Sequence, residues 1–238
     1  MNRRIQGILL LLLGGAVVKI SINGTYLRYV KAGLRPLLIV AGVLLVAVAV
    51  VTLWQELRPG ARAHDGHDDD GHGHHQSRIG WLLLLPALGL LLVSPKPLSS
   101  FAAAKSGTVT VSAESDYPPL PAGDPAQVPL LQYAARALLD GGRSLTGRTV
   151  ELTGFITGGP DGRPALARIV LNCCAADGRP IKVALTGQAP AGLADGTWVR
   201  AVGRYSTEVG KDPLNKADIA YLEVVSWQEI PAPSQPYE

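Results

Sequence analysis

Three stretches within the first 95 residues are almost entirely apolar. They extend over residues 5–22, 36–54 and 79–95. The second has 19 uncharged residues, and a helix of that length is about 28 Å long, which matches the hydrocarbon core of a bilayer. Trp54 ends this stretch at the place where membrane helices often carry an aromatic anchor. The pattern predicts a membrane domain of residues 1–95 with three spanning helices.

The first stretch has a second interpretation, a secretory signal peptide. Arg3 and Arg4 precede its apolar run, as in the charged start of such peptides. Continuation to residue 22 also requires Lys19 to extend its ammonium group to the interface. Because no small-x-small cleavage site follows closely, we favour a retained span.

The spacing of apolar residues changes in the second half of the chain. Residues 96–127 are rich in Pro, Ala and Ser and are typical of a linker. Residues 128–140 place apolar side chains at helical spacing before Gly141 and Gly142. Five strand-like runs follow, separated by turns with Gly, Pro and Asp: 149–156, 165–173, 181–185, 198–205 and 221–230. We therefore predict that residues 128–238 form one helix and a small all-β domain, an OB-like five-stranded barrel, with a small sandwich as the alternative.

Charge is divided unevenly between the two halves. Residues 1–105 carry 11 Lys or Arg and 5 Asp or Glu, whereas residues 106–238 carry 11 and 14. The basic excess therefore flanks the apolar stretches, where membrane proteins use it. OB barrels often bind oligonucleotides, but that function needs a basic groove with stacking aromatic side chains. A net negative domain with few aromatic residues excludes nucleic acid as the expected partner.

Three spans place the two termini on opposite membrane faces. The positive residues do not distinguish the two orientations clearly, but Arg3 and Arg4 before the first span favour an N-terminus inside the cell. We expect a multi-pass plasma-membrane protein whose β domain is extracytoplasmic. Gly14, Gly15 and Gly42 offer small-residue surfaces for helix packing.

The loop between the second and third predicted spans contains every histidine of the protein. Residues 64–75 hold five His and four Asp with interspersed Gly. Imidazole and carboxylate groups are ligands for Zn²⁺, Ni²⁺ and Cu²⁺. The loop therefore predicts a metal site that becomes ordered on binding, with a solvated polar connector as the alternative. The candidate ligands are His64, Asp65, His67, Asp68, Asp69, Asp70, His72, His74 and His75.

Both cysteines of the protein are adjacent, at the end of the second predicted strand. Cys173 and Cys174 are followed by Asp177, and three interpretations stay open. Small buried thiols suit a crowded strand end. Vicinal cysteines can also form a strained, easily reduced disulfide. Two thiolates with a carboxylate can bind a soft or borderline metal ion. Because no G-x-S-x-G, H-E-x-x-H or phosphate-binding glycine loop occurs, we do not expect an enzyme.

The complete arrangement resembles a poorly characterised bacterial family whose members are described as subunits of a two-component permease. The resemblance rests on residues 145–155 (LTGRTVELTGF), 167–177 (ARIVLNCCAAD), 196–203 (GTWVRAVG) and 236–238 (PYE). It implies an accessory protein that acts with a separate polytopic permease and handles metal, zinc being the expected ion. A membrane protein that binds metal or senses redox state without a transport partner is the alternative.

Overall fold

A computed structural model of the chain describes residues 3–57, 98, 100–111 and 117–238. These residues form two units. One contains the two N-terminal helices. The other contains the segment 27–31 and the described residues from 98 onward. The third predicted span and the His/Asp loop both lie outside the described residues.

The first unit is a pair of helices, α1 (Arg3–Ile22) and α2 (Arg35–Leu57). Both are long and apolar enough to cross a membrane, and they coincide with the first two predicted spans. Many of their aliphatic side chains are exposed, which a helix in water would avoid but a helix in lipid would not. Two short 3₁₀ turns, Thr25–Arg28 and Ala32–Leu34, occupy the connection between the helices.

Glycines allow α1 and α2 to approach closely. A Cβ atom on Gly14 would lie 2.9 Å from the Cβ of Leu45, and one on Gly42 would lie 2.8 Å from a methyl group of Val18. Both distances are too short for real side chains, so these positions require glycine. Gly15, in contrast, has no other atom within 4 Å of such a Cβ. Of the three glycines predicted to serve helix packing, two are used between α1 and α2.

The second unit is built on a closed five-stranded barrel. Its strands are β2 (Thr149–Gly158), β3 (Pro164–Val170), β4 (Arg179–Gly187), β5 (Trp198–Lys211) and β6 (Asp218–Glu229). They follow the order β2-β3-β4-β6-β5, and pairing of β5 with β2 closes the barrel. All pairs are antiparallel except β4 with β6. A short strand β1 (Ala126–Gln127) pairs in parallel with β2 outside the closed ring.

None of the five strands keeps both of its predicted bounds, and the differences at the ends of β3 and β5 have a visible structural cause. β3 ends at Val170 instead of residue 173, because the following residues turn away from the sheet. β5 continues to Lys211 instead of residue 205, and it forms a long hairpin with β6 whose register shifts at two places. Irregular pairing such as a β-bulge bends a strand and increases its twist, which helps a long hairpin to curve around a small barrel.

One helix packs on the barrel, as the helical spacing predicted. Helix α4 (Leu130–Leu139) follows α3 (Ser100–Lys105) in the chain and buries Leu130, Tyr133 and Ala134 in the core. The hydroxyl of Tyr133 donates a hydrogen bond to the carbonyl oxygen of Tyr221 at 2.6 Å. Burial raises the pKa of Tyr133, so this hydroxyl stays protonated and keeps its role as a donor. The core is thus apolar with a satisfied polar group inside it.

Part of the predicted linker is structured. The main-chain N–H of Val109 donates to the carbonyl of Pro180 at 2.8 Å, and the hydroxyl of Thr108 accepts from the N–H of Lys182 at 3.1 Å. These contacts hold residues 108–109 against the start of β4. Composition identified the segment as a connector but gave no sign of this pairing.

Candidate functional site

The adjacent cysteines lie in a tight turn between β3 and β4. The Asp177 carboxylate organises this turn, because it accepts hydrogen bonds from the main-chain N–H groups of Asn172 at 3.0 Å, Cys173 at 2.9 Å and Cys174 at 3.5 Å. A 3₁₀ turn, Ala175–Asp177, completes the loop. A carboxylate that binds these N–H groups takes them away from the sheet ladder, which is why β3 ends before the predicted residue 173.

The same carboxylate brings the two thiols together. The Cys173 Sγ atom lies 3.0 Å from Asp177 Oδ2, and the donor atoms of Cys173, Cys174 and Asp177 all lie within 4.8 Å of one another. In a tetrahedral zinc site with Zn–S bonds of about 2.3 Å, two sulfur atoms are about 3.8 Å apart. The three predicted ligands are therefore placed at distances that suit a shared ion. Thiolate and carboxylate donors favour zinc or a softer transition metal over calcium or magnesium.

Exposure distinguishes between the three interpretations of the cysteines. Cys173 is exposed, Cys174 is partly exposed, and both are free thiols. They are not the buried core thiols that the structural interpretation required. Free thiols also mean that the vicinal disulfide of the redox interpretation is not formed in this structure.

The protonation states also bear on the redox interpretation. The hydrogen bond to Asp177, followed by one with Cys174, raises the pKa of Cys173 to about 11. The hydrogen bond from Cys173, followed by those from the main chain, lowers the pKa of Asp177 to about 2. At neutral pH, Asp177 is a carboxylate and Cys173 is a thiol. Thiolate is the species that reacts with oxidants, so this arrangement disfavours a rapid redox sensor. Cys173 must also lose this proton before it can bind a metal ion, so protonation alone does not separate the two interpretations. The spacing of the three donor atoms favours the metal interpretation.

The cysteine turn is also paired with the segment between the two apolar helices. The N–H of Lys31 donates to the carbonyl of Cys173 at 3.1 Å, and the N–H of Ala175 donates to the carbonyl of Tyr29 at 2.7 Å. Val30 and Cys174 thereby form an antiparallel bridge. Sequence reasoning missed this pairing, because nothing local in residues 27–31 marks them as a partner for a turn some 140 positions away.

Tyr237 also binds the segment between the two apolar helices. Its hydroxyl donates to the carbonyl of Arg28 at 2.9 Å and accepts from the N–H of Leu98 at 2.8 Å. The Tyr237 side chain therefore links Arg28, which precedes α2 in the sequence, to Leu98, which follows it. The sequence analysis singled out residues 236–238 (PYE), but it did not predict that Tyr237 binds Arg28 and Leu98.

The neighbouring Glu238 binds the first turn of α4. Its two carboxylate oxygens accept from the N–H groups of Leu130 and Leu131, each at 2.9 Å. Arg168 stabilises this ending: it donates to the carbonyl of Gln235 at 2.6 Å, and its Nε lies 3.7 Å from Glu238. A carboxylate at a helix N-terminus satisfies donors that have no partner inside the helix.

The predicted histidine ligands are not brought to this cluster by any described contact. Residues 64–75 lie outside the described residues, so the His/Asp loop stays a prediction. Cys173, Cys174 and Asp177 are the predicted site residues that the structure brings together. Among the described residues, theirs is the cluster of His, Cys, Asp and Glu with metal-binding spacing.

Two family matches cover most of the chain. Residues 5–109 match the DUF1980 N-terminal domain, and residues 137–238 match the DUF1980 C-terminal domain. No curated protein and no solved structure matches.

Proposed function

We propose that this chain, which belongs to the DUF1980 family, is a membrane-anchored accessory subunit of a permease that handles a divalent metal ion, zinc being the expected one. The observation that carries the proposal is the cluster of Cys173, Cys174 and Asp177 in a turn that pairs with the connection between two apolar helices. The cluster supplies the metal chemistry, and the helices supply the membrane anchor.

The exposure of the cluster suits a cargo site better than a structural one. Structural zinc is closed off by four protein ligands, whereas a site that keeps a position open can exchange what it binds. Cys173, Cys174 and Asp177 offer three donors at the surface. Binding replaces the thiol proton of Cys173, so we expect proton release when the metal enters. The His/Asp loop supplies a second, predicted donor set for the same class of ion.

The contacts of the interhelix segment support a third membrane crossing. If α1 and α2 both cross a bilayer, residues 27–31 lie at one membrane face and Leu57 lies at the other. Leu98 is held by Tyr237, which also holds Arg28, so residue 98 shares the face of residues 27–31. We therefore infer that the chain returns across the bilayer through the predicted span 79–95, which lies outside the described residues. With the N-terminus inside, this face is extracytoplasmic.

The permease part of the proposal rests on the family resemblance and on the size of the membrane domain. Three spans do not enclose a transport pathway by themselves, and the predicted spans carry no mid-span charge that would mark an ion route. The exposed aliphatic faces of α1 and α2 fit lipid or a neighbouring helical protein. The strand order of the barrel supports an OB-type assignment, and the net negative charge of this half supports a cation as the cargo.

A zinc competition experiment tests the metal role. The full-length protein in mild detergent would compete with a chromophoric chelator, alongside a Cys173→Ser/Cys174→Ser variant and a variant with all five His replaced by Asn. We expect each variant to lose one class of site, and the combined variant to lose zinc binding altogether. Unchanged zinc binding by the Cys variant would remove the cluster from the proposal. Unchanged binding by the combined variant would refute metal handling.

Recovery of the protein from its native membrane tests the partner. A mild-detergent pull-down followed by mass spectrometry should recover a polytopic permease in near-stoichiometric amount. If the protein is recovered alone while its zinc binding is intact, the accessory role is refuted. The alternative, a stand-alone membrane protein that binds metal, would then take its place.

A further inference from the structure

The segment between the two apolar helices pairs with the same residues that carry the two thiols. Its hydrogen bonds use main-chain atoms: the N–H of Lys31 binds the carbonyl of Cys173, and the carbonyl of Tyr29 binds the N–H of Ala175. The antiparallel bridge of Cys174 lies between these two bonds. Because the bonds use no side chain, both thiols stay available to a metal ion while the segment is paired.

The C-terminal residues hold the chain that leads into the cysteine turn. The N–H of Leu171 donates to the carbonyl of Glu238 at 2.8 Å, and the N–H of Glu238 donates to the carbonyl of Ile169 at 2.9 Å. Asp177 binds N–H groups within the turn. The interhelix segment adds the bonds at the Cys173 carbonyl and at the N–H that follows Cys174, so it is one of three supports of the turn.

One conformation of the turn serves both the segment and the ligand cluster. In this conformation the donor atoms of Cys173, Cys174 and Asp177 lie within 4.8 Å of one another while the turn is paired with residues 29–31. A shared metal ion fixes the dihedral angles of both cysteines, and the main-chain pairing fixes part of the same set. Whichever partner binds first therefore reduces the conformational entropy that the second partner has to remove.

Tyr237 holds the segment next to the point where it pairs with the turn. Its hydroxyl donates to the carbonyl of Arg28 at 2.9 Å, and Arg28 directly precedes Tyr29. The Tyr237 ring packs against the buried apolar cluster that contains Ile169 and Leu171. Phenylalanine at this position would keep the packing and remove only the hydrogen bonds of the hydroxyl.

We propose that metal binding at the cluster is coupled to the pairing of residues 29–31 with the cysteine turn, and that Tyr237 is a positioning residue for this pairing. The coupling rests on the proposed metal role. The chain continues from residues 27–31 into α1 in one direction and into α2 in the other, so the coupling gives metal occupancy a route to the membrane helices. By linkage, pairing strengthens metal binding by the same factor by which metal strengthens pairing.

Hydrogen exchange of the full-length protein in phosphatidylcholine nanodiscs measures the coupling, with zinc binding followed on the same samples by chelator competition. Saturating zinc should slow exchange of the Lys31 amide about 5-fold, the effect of about one hydrogen bond. The control is the Gly159 amide, which binds the carbonyl of Arg163 at the opposite end of β3 and should not change. Zinc binding with unchanged Lys31 exchange would overturn the coupling and leave the metal role intact. Absence of zinc binding would refute both.

Two variants of Lys31 separate its main chain from its side chain. Both Lys31→Pro and Lys31→Ala remove the ammonium group, but only Lys31→Pro removes the N–H that binds Cys173. Proline suits the position, because the preceding Val30 lies in an extended bridge. Zinc should bind Lys31→Pro about 5-fold more weakly than Lys31→Ala. Equal affinities would overturn the proposal.

Tyr237→Phe tests the same coupling if Lys31→Pro does not fold. It should weaken zinc binding about 5-fold and reduce the protection that zinc gives to the Lys31 amide, while exchange of the Gly159 amide stays unchanged. The matched control is Tyr117→Phe, because the Tyr117 hydroxyl donates to the carbonyl of Ala135 at 3.3 Å and not to the interhelix segment. If Tyr237→Phe and Tyr117→Phe bind zinc equally well, Tyr237 has no positioning role.

Discussion

Replacement of Asp212 by Asn is expected to destabilise the barrel strongly. The Asp212 side chain is fully buried and its Oδ2 atom accepts from the Lys182 ammonium at 3.0 Å, and Lys182 is itself only 2 % exposed. The same oxygen accepts from the N–H of Thr108 at 3.1 Å, while Oδ1 accepts from the N–H of Leu214 at 2.8 Å. This ion pair therefore joins β4, the β5–β6 connection and the segment before the barrel.

The direction of the Asp212 pKa shows that the carboxylate form is stabilised. Burial raises this pKa, but the hydrogen bonds from Leu214, Lys182 and Thr108 lower it by more, so it lies below its ordinary value. In one orientation of the Asn side chain, its NH₂ group faces the donors of Lys182 and Thr108 that bind Oδ2 in the wild type. In the other orientation, the NH₂ group faces the N–H of Leu214, which then loses its acceptor. Either way, Lys182 is left as a buried, uncompensated cation. Loss of one partner of a buried pair costs about 3–5 kcal/mol.

The double variant separates the pair from the burial of Lys182. Lys182→Met alone should cost less, about 1–3 kcal/mol, because Asp212 keeps its main-chain donors after the neutral replacement. Lys182→Met combined with Asp212→Asn should cost less than the two single changes together, since no unpaired ammonium is left. This non-additivity is the signature that distinguishes a charge pair from two independent packing positions.

Hydrogen exchange of β4 and β5 peptides in the full-length protein, in mild detergent, measures the effect. A loss of 3–5 kcal/mol corresponds to exchange about 100- to 4,000-fold faster. The matched control is Asp218→Asn, because Asp218 pairs with Lys211 while both side chains are more than half exposed. Exposed pairs contribute at most about 1 kcal/mol. If Asp212→Asn accelerates exchange no more than Asp218→Asn does, the argument from buried charge is refuted.

Three further predictions follow from contacts described above. Gly14→Val should lower the thermal stability of the helix pair in detergent, whereas Gly15→Val should not, because only Gly14 faces a neighbouring helix; equal effects would contradict this packing. Glu238→Gln should speed hydrogen exchange in the first turn of α4 by a factor corresponding to about 1 kcal/mol, and an unchanged rate would exclude its capping role. Because the folded pKa of Asp212 is lowered, its contribution is complete above the ordinary Asp pKa of about 4 and is lost as the pH falls through the lower folded value; acid titration of barrel stability should show this loss in the wild type and not in Asp212→Asn.

Periodicity predicted most of the barrel because the barrel buries a continuous core. Alternating residues of the fifth run, such as Leu222 and Val224, are buried as expected for one face of a strand. The helix before the barrel was predictable from its apolar spacing and from Gly141, which adopts a positive φ after the helix ends. The strand ends were harder. Asp177 withdraws N–H groups from the ladder after β3, and period-2 patterns carry no information on such a carboxylate.

The surroundings of the candidate site were not predictable, because their contacts join distant parts of the chain. Tyr237 binds Leu98 and Arg28, and Lys31 binds the Cys173 carbonyl. No local pattern specifies a pairing over more than a hundred residues. The resemblance did single out residues 167–177 and 236–238, and Arg168 and Glu238 show why both stretches matter together. Arg168 donates to the carbonyls of Gln235 and Tyr237 and forms an ion pair with Glu238, whose carboxylate binds the start of α4.

These contacts explain most of the cysteine turn without explaining the cysteines. Asp177 is needed to bind the N–H groups of the turn, and the main chain of Cys173 is needed to pair with Lys31. The Cys173 side chain itself is exposed and packs into no core, so serine would serve the fold equally well. A reactive sensor thiol would need a lowered pKa, and this one is raised to about 11. A metal ligand also has to lose this proton, so the proposed metal site rests on geometry: the Cys173 thiol lies within ligand distance of a second thiol and a carboxylate. Zinc competition with the cysteine variant therefore decides between the proposed metal site and a turn without a ligand.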